Sequence, residues 1–356
     1  MFPFREGYDF PRNQWYVAGW SNEVTDSGIL ERWILNEPVI FYRTVDGTAV
    51  ALDGRCPHRN YPLGKSPLKN GKVECGYHGI TFDHTGQCVH IPTQVEIPAV
   101  CSLRAYPLVE KWRWLWIWPG DPAKADPSLI PDHDEIRITS EGWLPLQAFT
   151  YEVQARAQLF NENLMDISHL TFLHAGTIGT AGVASTEVEV IDQGRYLRGT
   201  RRIRGDALTG FFSDVLKYHG DIDREVLIDF YPPGLHVAWE MFMPLGSLDA
   251  AEGSRPPSLG EYRVHHAVTP ATHHKTNYFV AFSRTFARDE QSVTDTIAAV
   301  FTDVIAQDID AIEAIEQMIT QRDAAPREVL VRGDRHSIFG RRKLEGLFDA
   351  ERASHT

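Results

Sequence analysis

Cys56-Pro57-His58-Arg59 and Cys75-Gly76-Tyr77-His78-Gly79 decide how this chain is read. A Cys-x-His pair is followed, after sixteen residues, by a Cys-x-x-His pair. Two thiolates and two imidazoles at this spacing suit one metal site with mixed sulfur and nitrogen ligands. Zinc accepts such a set. So does a [2Fe–2S] cluster in which two histidines replace two cysteines on one iron. The first makes a structural module and the second an electron carrier. Asn70-Gly71 lies between the pairs, where a hairpin turn belongs. Pro57, Tyr61, Leu63 and Tyr77 are placed to shield a cluster from water.

Around this motif the first 120 residues read as β-structure. Short apolar or alternating runs (15–18, 33–35, 39–42, 49–52, 114–118) alternate with turn signals at Asp46-Gly47, Asp53-Gly54 and Thr85-Gly86. Period two puts Trp112, Trp114, Trp116 and Trp118 on one strand face, which reads as a core or interface face before it reads as a ligand platform. Prolines and acidic residues over 119–141 read as a linker. The second unit opens with a segment rich in Asn, Asp and His (160–174). Strand-like runs follow at 187–191, 226–231, 236–242 and 278–284, with a Gly-bounded excursion at 253–260. The 3.6-residue period predicts a helix over 292–321. The fold class is α+β, with domains over 1–125 and 126–356.

Composition bounds the function. The chain has 356 residues, a formal net charge of −13, 43% apolar and 23% charged residues, as expected of a globular protein of two domains. The acidic balance argues against nucleic acid. No apolar run reaches membrane-spanning length, and 1–20 lacks the apolar core of a secretory signal, so the expected location is cytoplasmic, with reduced thiols. Cys88 and Cys101 lie outside the motif and read as free thiols. Gly176, Gly179 and Gly182 are spaced G-x-x-G-x-x-G, which is not the dinucleotide fingerprint. Electrons therefore have to come from a separate protein.

The quoted motif resembles the Rieske signature. Thr81-Phe82-Asp83 with Gly86, and Ile91-Pro92, continue the resemblance to the Rieske domain of ring-hydroxylating oxygenases. It implies that Cys56 and Cys75 hold one iron of a [2Fe–2S] cluster and that His58 and His78 hold the other, which raises the reduction potential. A cluster of this kind moves electrons and does not itself perform oxygen chemistry. Asn163-Leu164-Met165-Asp166-Ile167-Ser168-His169-Leu170-Thr171-Phe172-Leu173-His174 resembles the N-x-x-D-x-x-H-x(4)-H motif of the same family. Two histidines and one carboxylate form the facial set that binds Fe(II) and leaves positions open for O2. On a regular helix His169 and His174 would point about 140° apart, so the segment needs a break or a widened turn.

Periodicity selects the carboxylate. Ile297, Phe301, Val304, Ile305, Ile312, Ile315 and Ile319 make one apolar stripe, and Asp308 sits in the middle of it. Asp310 shares the opposite face with Asp303 and Gln317. A lone carboxylate facing a core is costly unless it is paired or metal-bound, which favours Asp308. Gln307-Asp308-x-x-Ala311-Ile312-Glu313 also resembles the family's E-D-x-x-V-L-E pattern, with Gln307 and Ala311 as departures.

The resemblance runs from Asn13 to this helix and points to the vanillate O-demethylase and phthalate dioxygenase-like branch. It implies an all-β N-terminal cluster domain and a C-terminal catalytic domain with an antiparallel sheet flanked by helices. It also implies a homotrimer in which Asp166 bridges a ligating histidine to His78, or to His58, of a neighbour's cluster, while Asn163 stands near the iron. The implied activity is monooxygenation or O-demethylation of a small aromatic compound by O2, with a ferredoxin or reductase delivering electrons from NAD(P)H. Ring cis-dihydroxylation is the alternative within the family, and a pure electron carrier the alternative outside it. His236, Asn277 and Arg284 are polar candidates for a substrate pocket but read first as structural.

Overall fold

The structure, a computed structural model, describes residues 10–137, 141–145, 149–251, 253–321 and 328–353. The chain forms two compact units, one of Asp9–Ile130 with Thr269–His273, the other of Pro131–Val268 and His274 onward. No sequence feature marks the short excursion 269–273. No described helix is long and apolar enough to cross a membrane.

The described part of the first unit holds three antiparallel sheets. Tyr16–Trp20 pairs with Trp114–Ile117, which pairs with Leu108–Lys111. Leu30–Ile34, Glu37–Arg43 and Ala49–Asp53 form the second sheet. Leu68–Lys69, Lys72–Glu74, Thr81–Phe82 and Cys88–His90 form the third. Asn70 and Gly71, at φ 53° and 70°, make the expected hairpin. The tryptophan stripe is shorter than its period suggested. Trp112 and Arg113 are the two turn residues of another hairpin, at φ 59° and 69°, and the strand begins only at Trp114. The left-handed turn overrides the strand propensity of Trp112. Trp114, Trp116 and Trp118 are buried, as a core face requires. Much of the linker is built in as well: Asp121 and Asp126 cap short 3-10 turns, and their carbonyls accept from Trp118 and Trp15.

In the second unit an eight-stranded sheet is described. Leu144–Pro145 and Phe149–Val153 both pair with Lys275–Arg284. The order then runs through Gly260–Thr272, Leu235–Pro244, Asp221–Tyr231, Leu197–Ala207 and Glu189–Asp192. Helix Ala157–Met165 and the long helix Gln291–Thr320 bury Phe160, Phe301, Val304 and Ile305 against Phe242, Val264 and Phe282 of the sheet. The long helix matches its expected span to one residue at each end, but its apolar stripe is interrupted at Ile315 before Ile319 packs against the core again. Ile315 is 47% exposed, and Glu316 is buried instead, bonded to Arg156 through Nε at 2.6 Å. The expected helix is also not the last. Arg335–Ala353 forms another, pinned by Arg341 to Glu162 and Glu328.

Candidate active site and electron-transfer centre

Two ligand loops of the first unit are built alike. The Cys56 carbonyl accepts from Asn60 N–H at 2.8 Å, and Cys56 N–H donates to the Tyr61 carbonyl at 3.0 Å. The Cys75 carbonyl accepts from Gly79 N–H, and Cys75 N–H donates to the Ile80 carbonyl, both at 2.8 Å. Each loop turns on a left-handed residue, Asn60 at φ 54° and Gly79 at φ 72°. A Cβ on Gly79 would press on Pro92 at 3.0 Å. The repeated turn buries Cys56 and Cys75 and leaves both His58 and His78 at the surface, with ring centroids 4.5 Å apart. Burial pushes the Cys56 thiol up to about 11, and the neighbouring Cys75 adds to the shift. A bound cation that stabilises thiolates offsets that cost. This donor set fits a cluster with sulfur ligands inside and imidazoles at the rim. Cys88 and Cys101 are free thiols.

The second constellation begins with a break. Helix Ala157–Met165 stops at Asp166, a 3-10 turn covers Ile167–His169, and one α-turn covers Leu170–Leu173. The Asp166 side chain caps the 3-10 turn by accepting from Ser168 N–H at 3.0 Å. The change of helix type brings the His169 and His174 rings to 5.3 Å, as the five-residue spacing demanded. The returning backbone passes so close that a Cβ on Gly179 would collide with the Leu170 carbonyl. From the long helix Asp308 completes the group. Its Oδ1 lies 3.3 Å from His169 Nε2 and 3.2 Å from His174 Nε2. All three possible ligand atoms lie within 4.8 Å of one another. Asn163 Nδ2 donates to the same Asp308 oxygen at 3.1 Å.

The other ring nitrogens explain why a cation belongs there. His169 Nδ1 lies 2.7 Å from the Asp166 carbonyl, and His174 Nδ1 lies 2.7 Å from Gln307 Oε1. Both partners are acceptors, so both Nδ1 atoms carry hydrogen. In neutral imidazoles the two Nε2 lone pairs then face a carboxylate oxygen, which repels them unless a positive charge lies between. Burial opposes charging His174, but Asp308 and Gln307 outweigh it and raise its affinity for a proton. Burial likewise opposes ionising Asp308, and the two histidines hold it well below the usual carboxylate range. A divalent metal satisfies all three groups at once. Two nitrogens and one carboxylate suit Fe(II) and leave sites for other ligands.

Asp166 touches His169 through its main-chain carbonyl within this chain, and not through the carboxylate that the sequence brought forward. That carboxylate lies 3.5 Å from Arg201 Nη2. Sequence reasoning read Gln307 only as a departure from a pattern, whereas the structure makes it the acceptor that orients His174.

A pocket with about 710 Å³ of empty space, part of it open to solvent, adjoins Asn163, His169, His174 and Asp308. Phe301, Val304 and Ile305 line it from the long helix, and from the sheet it is lined by His236, Ala238, Trp239 and Glu240, by the alternating Tyr262, Val264 and His266, and by residues of the adjoining strands. Of the three polar candidates, only His236 is among the lining residues. Its Nε2 donates to Asn161 Oδ1 at 2.9 Å, and burial holds its affinity for protons well below the ordinary value. Arg284 is tied to the carbonyls of Phe286 and Ala287 and to Thr294 Oγ1, a structural role. The period-two alternation of 236/238/240 and 262/264/266 was the available signal for the sheet side of the pocket.

A cluster fold at residues 14–107 and an oxygenase domain at 153–350 define the class. The first segment matches the Rieske [2Fe-2S] domain, and the second matches the vanillate O-demethylase oxygenase C-terminal domain. The chain belongs to the Rieske oxygenases of that branch: it is an oxygenase component with a Rieske [2Fe–2S] domain, and its His169/His174/Asp308 group fits a non-heme iron. It is 35% identical to the iron–sulfur subunit of a toluene-4-sulfonate monooxygenase system from Comamonas testosteroni, over 96% of this chain and 98% of that one. It is 31% identical to the oxygenase component of dicamba O-demethylase from Stenotrophomonas maltophilia, over 97% and 99%. The crystal structure of dicamba monooxygenase bound to 3,6-dichlorosalicylic acid superposes with a TM-score of 0.87 at 30% identity, covering 97% of this chain and all of that one.

Proposed function

We propose that this oxygenase hydroxylates a methyl carbon or O-demethylates a methoxy group of a small aromatic compound. The observation that carries this reading is the His169/His174/Asp308 group at the wall of a largely apolar pocket. Bound Fe(II) supplies O2 activation there, using electrons relayed by the cluster. The chain's own residues set the geometry. Gln307 and the Asp166 carbonyl fix the tautomers of the histidines, and Asn163 holds Asp308. Phe301, Val304 and Ile305 keep water from the reacting carbon. Hydroxylation of a methoxy carbon yields a hemiacetal that releases formaldehyde.

In this reading Cys56, His58, Cys75 and His78 hold the cluster. A separate ferredoxin or reductase supplies electrons from NAD(P)H. The protein works as a homotrimer in which His78 of one subunit passes electrons through Asp166 of the next. The surface positions of His58 and His78 support a donor face directed outward. Names of relatives, among them toluene-4-sulfonate monooxygenase and dicamba O-demethylase, support attack on a substituent rather than on the ring. The test supplies a surrogate reductase and a panel of methoxy- and methyl-arenes, and compares O2 uptake with formaldehyde or benzylic alcohol release. Matched stoichiometry is expected. Uptake that yields cis-dihydrodiols and neither product contradicts the reading.

A further inference from the structure

Across Leu235–Pro244 and Gly260–Thr272 the pocket wall carries three cross-strand pairs, His236 opposite His266, Ala238 opposite Val264, and Glu240 opposite Tyr262, and Trp239 with Val226, Ile228 and Phe282 of the neighbouring strands adds aromatic and aliphatic surface. Successive pairs on one face lie about 7 Å apart, so the pocket runs polar, apolar, polar over about 14 Å. The histidine end is the metal end. The charge of Asp308 is felt at His266 and at Tyr278, whose hydroxyl lies 2.5 Å from His266 Nδ1. In the middle, Ala238 and Val264 are small enough to leave room for a flat ring.

The far end has a distinct electrostatic character. Arg224 is fully buried and bonds Glu240 through Nε at 2.6 Å and Asp206 through Nη1 at 2.8 Å. Thr180 donates to the same Asp206 oxygen. One guanidinium thus serves two buried carboxylates, and the cluster keeps one surplus negative charge. Tyr262 already donates its hydroxyl to Glu240 Oε2. What Glu240 and Tyr262 still offer a ligand is lone pairs, not hydrogens. No Lys or Arg is among the lining residues described. An anionic group at this end would meet acceptors and excess negative charge with no partner, the costly way to bury a charge.

Resting on the oxygenase reading above, we infer that the substrate is a neutral aromatic compound. It carries an N–H or O–H donor at the end remote from the oxidised carbon, and Glu240 and Tyr262 select for that group. The experiment measures binding to the iron-loaded holoenzyme by calorimetry, using isosteric pairs that differ in charge: 4-methoxybenzamide against 4-methoxybenzoate, and 4-methylbenzenesulfonamide against 4-methylbenzenesulfonate. The amides should bind at least about tenfold more tightly. Glu240→Gln, which brings an amide donor to the site, should shrink the ratio to about threefold or reverse it. If that variant fails to fold, Tyr262→Phe frees one Glu240 oxygen and should widen the ratio. Anions that bind as well as their amides overturn the inference, as does failure of both pairs to bind at millimolar concentration. Turnover is followed in parallel. Amide-selective binding without O2 consumption supports the selection and counts against oxygenation. Turnover that favours the anions does the reverse.

Discussion

His174 places its two ring nitrogens in opposite service: Nδ1 is spent on Gln307 so that Nε2 can face Asp308. A ligating imidazole held this way loses affinity for its metal when the partner goes, by about 10–100-fold. Gln307→Leu should therefore weaken Fe(II) binding by about that factor in a titration of iron-stripped protein, while Gln307→Glu retains it. Unchanged affinity in the Leu variant would remove Gln307 from the site. Asp166 makes a sharper case. It contacts His169 through the main chain, and Asn caps a helical turn as well as Asp. Asp166→Asn should keep both metals and slow the oxidation of the cluster in stopped-flow absorbance. Oxidation at the normal rate would refute the bridging role. Periodicity singled out Asp308 and the family resemblance the two histidines, and these three side chains do come together. Which atom of Asp166 faces His169, and the part of Gln307, depend on a backbone path that no spacing encodes.

The long helix Gln291–Thr320 shows how far a periodic pattern carries. Its stripe from Ile297 to Ile312 singled out Asp308, because a carboxylate in an apolar row needs a reason to be there. After Ile312 the row is broken at the exposed Ile315, and Glu316 takes the inward position with Arg156 and His274 before Ile319 rejoins the core. Burial alone would raise the Glu316 pKa, but its bonds to Arg156 and His274 outweigh burial and lower it below the ordinary value of 4.5. A depressed acid contributes stability that is complete above its unfolded pKa and lost as pH falls through its folded pKa. Urea midpoints should therefore drop more steeply below about pH 4.5 in the wild type than in Glu316→Gln. Equal slopes would contradict the pair. Glu316→Ala should cost about 2–4 kcal/mol at neutral pH, because Arg156 loses its partner in a mostly buried place. A departure from regular helix between His169 and His174 was legible from their five-residue spacing, whereas the stop at Asp166, ahead of both, was not. Nothing in the sequence pointed to the helix Arg335–Ala353: two glycines and a run of charges hide it, and its inward face shows where Leu344 packs with Met165, Leu197 and Phe230 and where Arg341 bonds Glu162 and Glu328.

Across the whole molecule the cluster unit and the oxygenase unit divide the labour. The paired Cys and His loops announced the first unit, and the alternation of strands with one long amphipathic helix announced the α+β character of the second. The Thr269–His273 excursion, which joins the first unit from a strand of the second, has no local signal because it is defined by partners distant in sequence. The trimeric reading requires a particle of three times the 40.3 kDa chain mass in sedimentation equilibrium, and a stable monomer would rule it out. In the proposed division of roles the cluster is an electron store and the His169/His174/Asp308 centre is where O2 and substrate react. Single turnover separates the two roles. Holoenzyme with a chemically reduced cluster and no reductase is mixed with O2 and the methoxyarene that gives most formaldehyde in steady state. Wild type should release formaldehyde as its cluster oxidises. Asp308→Ala should retain the cluster spectrum, keep the cluster reduced and release none. Formaldehyde at the wild-type yield from Asp308→Ala would place the reaction away from this centre.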